Sequence, residues 1–66
     1  MSILKVIEIL AESEKSWEDA TKNAVEKASE TVKNIRSVYV QEQSATVSGR
    51  KVDKFRVNVK ITFEVK

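Results

Sequence analysis

Phe55-Arg56-Val57-Asn58-Val59-Lys60-Ile61-Thr62-Phe63-Glu64-Val65 alternates apolar and polar residues without a break. Successive side chains on a strand point to opposite faces, so this stretch reads as a strand with one buried face and one polar face. Arg56, Asn58, Lys60 and Thr62 line the polar face. Just upstream, the only glycine, Gly49, lies in Ser48-Gly49-Arg50-Lys51, where a hairpin turn needs a residue that tolerates positive φ. The segment before it, Ser37 to Val47, has strand composition, but its apolar parity changes. Val38 and Val40 are even-numbered, whereas Ala45 and Val47 are odd. A bulge or bend near Glu42–Ser44 is expected to bring both pairs to one side.

The N-terminal half supplies the remaining elements. Ile3 to Leu10 is β-branched and apolar apart from Lys5 and Glu8, and polar residues bound it, so it reads as a strand. Lys5, Ile7 and Ile9 share one of its faces; Val6, Glu8 and Leu10 share the other. A helix follows. Ser16 is a suitable N-cap, and Asp19 approximates the reciprocal half of a capping box. Glu18 and Asp19 place negative charge at the positive end of the helix dipole. Trp17, Ala20, Ala24, Ala28, Val32 and Ile35 recur every three or four residues, with Val25 beside them. This stripe predicts a helix whose narrow, mostly alanine face packs closely on a sheet. Lys27, Lys33 and Arg36 are expected at its C-terminal half.

Strand, helix, strand, strand is an α+β order. The helical crossover sets the first two strands running the same way, and the hairpin reverses the third. Pairing every strand antiparallel puts the last strand in the centre of a three-stranded sheet packed on one helix. One helix leaves the opposite sheet face bare, and both edge strands are unprotected, which points to assembly through the sheet.

Composition narrows the function. The chain has 66 residues, expected to form one domain over 1–66, with 12 Lys plus Arg against 10 Asp plus Glu and a net charge of +2. It has no cysteine and no histidine, which excludes disulfides, thiolate metal sites, thiol catalysis and the commonest general base. No Gly-rich phosphate loop or nucleophile motif is present, so the expectation is a protein that is not an enzyme. A domain this small usually needs a disulfide, a metal or a partner chain, and oligomerisation is the remaining staple of choice. No segment approaches the roughly 20 apolar residues of a membrane-spanning helix, and Met1-Ser2-Ile3-Leu4-Lys5 lacks a secretory pattern. A cytoplasmic location without membrane contact is expected.

Lys5-Val6-Ile7-Glu8-Ile9, Ser16-Trp17-Glu18-Asp19-Ala20 with alanines at helical spacing, Asn34-Ile35-Arg36, and the last strand through Val65 together resemble the dodecins. The resemblance spans essentially the whole chain. It implies a β-α-β-β subunit, twelve copies of which close into a hollow shell, a homododecamer. It also implies a small-molecule ligand that is stored rather than turned over. In typical members this is a flavin (riboflavin, FMN or FAD) stacked in pairs between aromatic side chains of neighbouring subunits; some relatives bind coenzyme A. Ser37 stands where the resemblance places the flavin-stacking tryptophan. Arg56 stands at the glutamine that bonds the flavin's pyrimidine edge, and Ser44 at an arginine found in many bacterial members. With the bulge, all three fall on the face away from the helix. Relatives lacking the aromatic are associated with ions or with no known ligand.

Ser37, Ser44, Arg56 and Tyr39 are therefore the candidate ligand residues. Arg56 brings a planar fork of donors, and Tyr39 an aromatic of the same parity as Ser37. The plain alternative for the row Arg56, Asn58, Lys60 and Thr62 is hydrogen bonding and ion pairing between subunits. Trp17 heads the apolar stripe, which favours an anchor over a ligand platform. The carboxylates form no calcium-loop motif, although one repeated around a symmetry axis would suit a hard cation such as calcium or magnesium. A flavin-free, cation-stabilised shell is thus the alternative to the flavin reading. A sheet-based nucleic-acid-binding module is a further one, with two points against it. Phe55 and Phe63 have the wrong parity to stack bases beside Lys54, Arg56 and Lys60, and the net charge is modest.

Overall fold

The computed structural model describes residues 2–66. Strand β1 (Ile3–Ser13), helix α1 (Trp17–Ala28), strand β2 (Ile35–Ser48) and strand β3 (Lys51–Val65) follow one another along the chain. The sheet order is β1-β3-β2, with both edge strands antiparallel to the central β3. This is the expected α+β arrangement. Gly49 makes the hairpin turn at φ +64°. No helix among the described residues is long and apolar enough to cross a membrane.

The core sits between the helix and one sheet face. Ala20, Ala24 and Ala28 are buried against Val57, Val59 and Ile61, flanked by Ile7, Ile9, Ala11, Val25, Ile35 and Val38. Cross-strand register explains this set. Ile7, Ile9 and Ala11 of β1 lie opposite Ile61, Val59 and Val57, and Val38 and Val40 of β2 lie opposite Ile61 and Val59.

β2 carries more irregularities than its parity change predicts. Its register shifts between Ile35 and Ser37, between Val40 and Glu42, and between Ala45 and Val47. The middle shift makes Gln41 the extra residue, just before the expected stretch, and brings Gln43 and Ala45 opposite Val57 and Phe55. Val47 does not join them. It pairs with Val52 beyond the third shift, and both are exposed, at 68% and 55%.

The helix is shorter than its stripe. Val32 and Ile35 keep the period, yet α1 ends at Ala28, and Ile35 opens β2. Serine and threonine compete with the helix by bonding nearby backbone. Here Ser29 donates from both its amide and its hydroxyl to the Val25 carbonyl, at 2.9 and 2.6 Å. Asn34 then adopts φ +64°, a left-handed conformation that asparagine tolerates better than most residues. Its carbonyl accepts from the Glu64 amide at 3.0 Å, which delivers the chain to the sheet. Of the expected C-terminal cations only Lys27 lies in the last helical turn.

Ser16 caps the helix, its Oγ accepting from the Asp19 amide at 2.9 Å. The reciprocal half of the capping box is replaced by a longer link. The Asp19 carboxylate accepts from the hydroxyl of buried Ser13 at 2.6 Å and from the Asn23 amide group at 3.3 Å. Ser13 Oγ in turn accepts from the Lys15 amide at 2.9 Å. The end of β1 is thereby tied to the first turn of α1.

Two outcomes follow. Ala24 is 3% exposed at the helix–sheet contact, so Ala24→Leu is expected to cost about 1–3 kcal/mol by overpacking. Chemical denaturation would measure the loss. The Ser13 hydrogen bond, opposed by partial desolvation and aided by Lys15, Asn23 and Lys22, lowers the Asp19 pKa below its ordinary 3.8. A group depressed on folding stabilises above its unfolded pKa, and that gain is lost as pH falls through the folded one. Asp19→Asn should therefore lower stability at pH 7 and flatten the loss below about pH 4; an unchanged acid limb in a pH series of melts would contradict this.

Candidate ligand-binding face

The face of the sheet away from α1 is built by residues lying opposite one another on three strands. Glu8, Lys60 and Tyr39 make one cross-row; Leu10, Asn58 and Glu42 the next; Glu12, Arg56 and Ser44 the third. Val6, Thr62 and Ser37 make a fourth row, nearer the end where β1 begins. All four candidates, Ser37, Tyr39, Ser44 and Arg56, thus share this outer face, as their parity predicts. The bulged Arg36 and Gln41 put them there, since each extra residue resets which side the following residues face.

Sharing a face does not bring all four together. Ser44 lies directly opposite Arg56, whereas Ser37 lies opposite Thr62, six residues further along β3. At about 3.3 Å per residue that is roughly 20 Å. Tyr39, opposite Lys60, is about 13 Å along the strand from Arg56 by the same measure.

Two features of this face escaped sequence reasoning. The first is Glu12. Its carboxylate accepts a hydrogen bond from Arg56 Nε, and its other oxygen lies 4.0 Å from Lys54 Nζ. Hydrogen bonding from Arg56, with the charges of Arg56 and Lys54 behind it and partial desolvation opposing, holds the Glu12 pKa below its ordinary value. Arg56 is therefore paired within its own subunit. The second is Asn58, whose Oδ1 is buried without a hydrogen-bond partner among the described residues. A buried unmatched acceptor is costly.

Arg36 and Glu64 make a further pair, with Arg36 Nη2 and Nε donating to one Glu64 oxygen at 2.6 and 3.1 Å. Among the described residues no three carboxylates converge.

The aromatics divide between the faces. Phe55 and Phe63 lie opposite Ala45 and Ile35, on the helix side, which leaves Tyr39, 64% exposed, as the aromatic of the outer face. Trp17 meets Phe55 edge-on with ring centroids 4.9 Å apart, and its Nε1 donates to the Ser44 carbonyl at 2.8 Å. It is a packing anchor, and it also fixes the backbone of a candidate residue.

The dodecin family model matches residues 3–66. The chain belongs to the dodecin family. A calcium dodecin of Mycobacterium tuberculosis is 35% identical over 66 residues, spanning all of this chain and 93% of that protein. Its crystal structure, described as that of a calcium-chelating antigen with a novel calcium-binding site, superposes with a TM-score of 0.85 over 98% of this chain and 93% of that one. An arginine-to-alanine variant of the Thermus thermophilus dodecin has the same fold, with a TM-score of 0.94 at 23% identity over 100% of this chain and 98% of that one. The dodecin of Streptomyces coelicolor matches equally, at 0.94 and 23% identity over 98% of this chain and 93% of that chain.

In this dodecin subunit the Trp17–Ser44 bond ties the helix start to β2. Trp17→Phe keeps the ring contact but leaves the carbonyl unmatched, and is expected to cost about 0.5–1.5 kcal/mol. A melt of the variant would measure it, and a change in the Ser44 amide signal by NMR would localise it.

Proposed function

We propose that the chain is a non-enzymatic subunit of a homododecameric shell that binds, stores or buffers a small ligand, residues 1–66 acting as one domain. The full-length dodecin match carries this reading. The bare outer face supports it, because exposed Leu4, Val6 and Leu10 of β1 and Tyr39 of β2 lie there without cover.

Two ligand classes are in view. A divalent cation, calcium or magnesium, is supported by the 35% identity to a calcium dodecin. Since no three carboxylates converge among the described residues of one chain, such an ion would draw its oxygens from several copies. Hard cations take six to eight oxygens, which a symmetry axis can gather from one or two carboxylates per subunit. A flavin is the second class, supported by the common face of Ser37, Tyr39, Ser44 and Arg56. One feature weakens it here: serine replaces the stacking ring. Stacking on one aromatic contributes about 1–3 kcal/mol by analogy with nucleic-acid bases. The cation is the favoured ligand.

Ser37→Trp is accordingly expected to raise riboflavin affinity by about tenfold or more, read by quenching of flavin fluorescence, the factor that about 1.4 kcal/mol supplies. An unchanged titration with the oligomer intact would contradict the placement of the flavin site. Calcium bound after dialysis, measured by elemental analysis and removed by a chelator with a fall in melting temperature, would support the cation. Equal melts with and without chelator would remove it.

A further inference from the structure

Glu12 and Arg56 face each other across the β1–β3 ladder, and directly opposed residues on such a ladder have Cβ atoms about 4.5–5.5 Å apart. Their contact is thus built into the strand register, although 44 residues separate them in sequence. Lys54, two residues along β3 on the same strand, approaches the second Glu12 oxygen. One carboxylate is shared by two cations, and all three side chains keep partial exposure, at 34% for Glu12, 43% for Arg56 and 45% for Lys54. A ligand therefore reaches Arg56 only in the presence of a fixed negative charge.

We propose that Glu12 sets the charge preference of the Arg56 region, screening it against anions while leaving it open to neutral acceptors. The contact occupies the Nε edge of the guanidinium. Bidentate recognition of a phosphate or carboxylate uses two parallel N–H groups, and an anion placed there also meets the Glu12 carboxylate at close range. A like charge disfavours it, by an amount that solvent at these part-exposed groups and the neighbouring Lys54 reduce. A neutral carbonyl or ring nitrogen accepts from the terminal N–H groups without that penalty. Ser44, opposite Arg56 on β2, adds an uncharged donor and acceptor to the same row. The ligand class this favours is an uncharged polar heterocycle, in preference to its phosphorylated form. The inference builds on the outer-face reading above, but it concerns the charge state of the face and holds whether or not a flavin is the resident ligand.

Inorganic pyrophosphate is the probe for anions and riboflavin the neutral probe, each titrated calorimetrically into the intact oligomer. Glu12→Gln keeps the shape and a hydrogen-bond acceptor while removing the charge. It should bind pyrophosphate at least tenfold more tightly than the parent, with riboflavin binding altered by less than threefold. Glu12→Asp, which keeps the charge, should stay near the parent. Adding Arg56→Ala to Glu12→Gln should abolish the gain, which assigns it to the guanidinium. Equal pyrophosphate affinity for the parent and Glu12→Gln would overturn the proposal, as would a gain that survives loss of Arg56. Riboflavin binding to neither protein, with the pyrophosphate difference retained, would remove the flavin reading and overturn the preference for a neutral heterocycle, while the screening of anions by Glu12 would stand.

Discussion

Three alanines determine how close the helix comes to the sheet. Ala20, Ala24 and Ala28 present no more than a methyl group each to Val57, Val59 and Ile61, and all six are buried. Any larger side chain on that stripe would hold α1 away from β3 and open the core. The same economy limits what the helix covers. Twelve residues of helix are about 18 Å long, against about 50 Å for the fifteen of β3, and the molecule measures 51 × 20 × 13 Å. The radius of gyration is 13.5 Å, where a compact chain of this length has about 11 Å. The accessible surface is 5043 Å², against about 4,200 Å² for a compact monomer of this mass. The subunit carries surface that a self-sufficient domain would have buried, and this follows from one short helix serving one long strand.

On the outer face the same strand geometry acts through charge. Register places Glu12 beside Arg56 as firmly as it places Ile9 beside Val59. The core contact needs no partner; the ionic one offsets a cation that would otherwise be free for a ligand. Surface pairs of this kind add little to stability, so the importance of Glu12 lies in what Arg56 can bind. Asn58, in the middle of the same strand, carries a buried acceptor that no described residue satisfies.

Much of this was legible in the amino-acid order. The unbroken alternation from Phe55 to Val65 identifies the central strand, and the parity change in β2 predicts a bulge, which lies at Gln41. From those two features Ser37, Tyr39, Ser44 and Arg56 fall on one face. The end of the helix was not legible from period alone, because Val32 and Ile35 keep the stripe while Ser29 and Asn34 turn the backbone away from it. The register shift at Ala45/Val47 leaves no change in apolar parity to detect, and the change from odd Ile35 to even Val38 at the first shift is masked because Ile35 also fits the helical stripe. Nor was the Glu12–Arg56 pair legible. Each strand shows which of its residues share a face, but the offset between two strands distant in sequence is set by the packing of Ile7, Ile9 and Ala11 around β3.

Native mass spectrometry of protein purified without added ligand tests the central claim that this subunit is built to be completed by its own copies. The account predicts a species near 90 kDa, about twelve times the 7.5 kDa chain, with any additional mass identifying what the shell carries. A folded monomer at 7.5 kDa, stable across micromolar dilution, would contradict it.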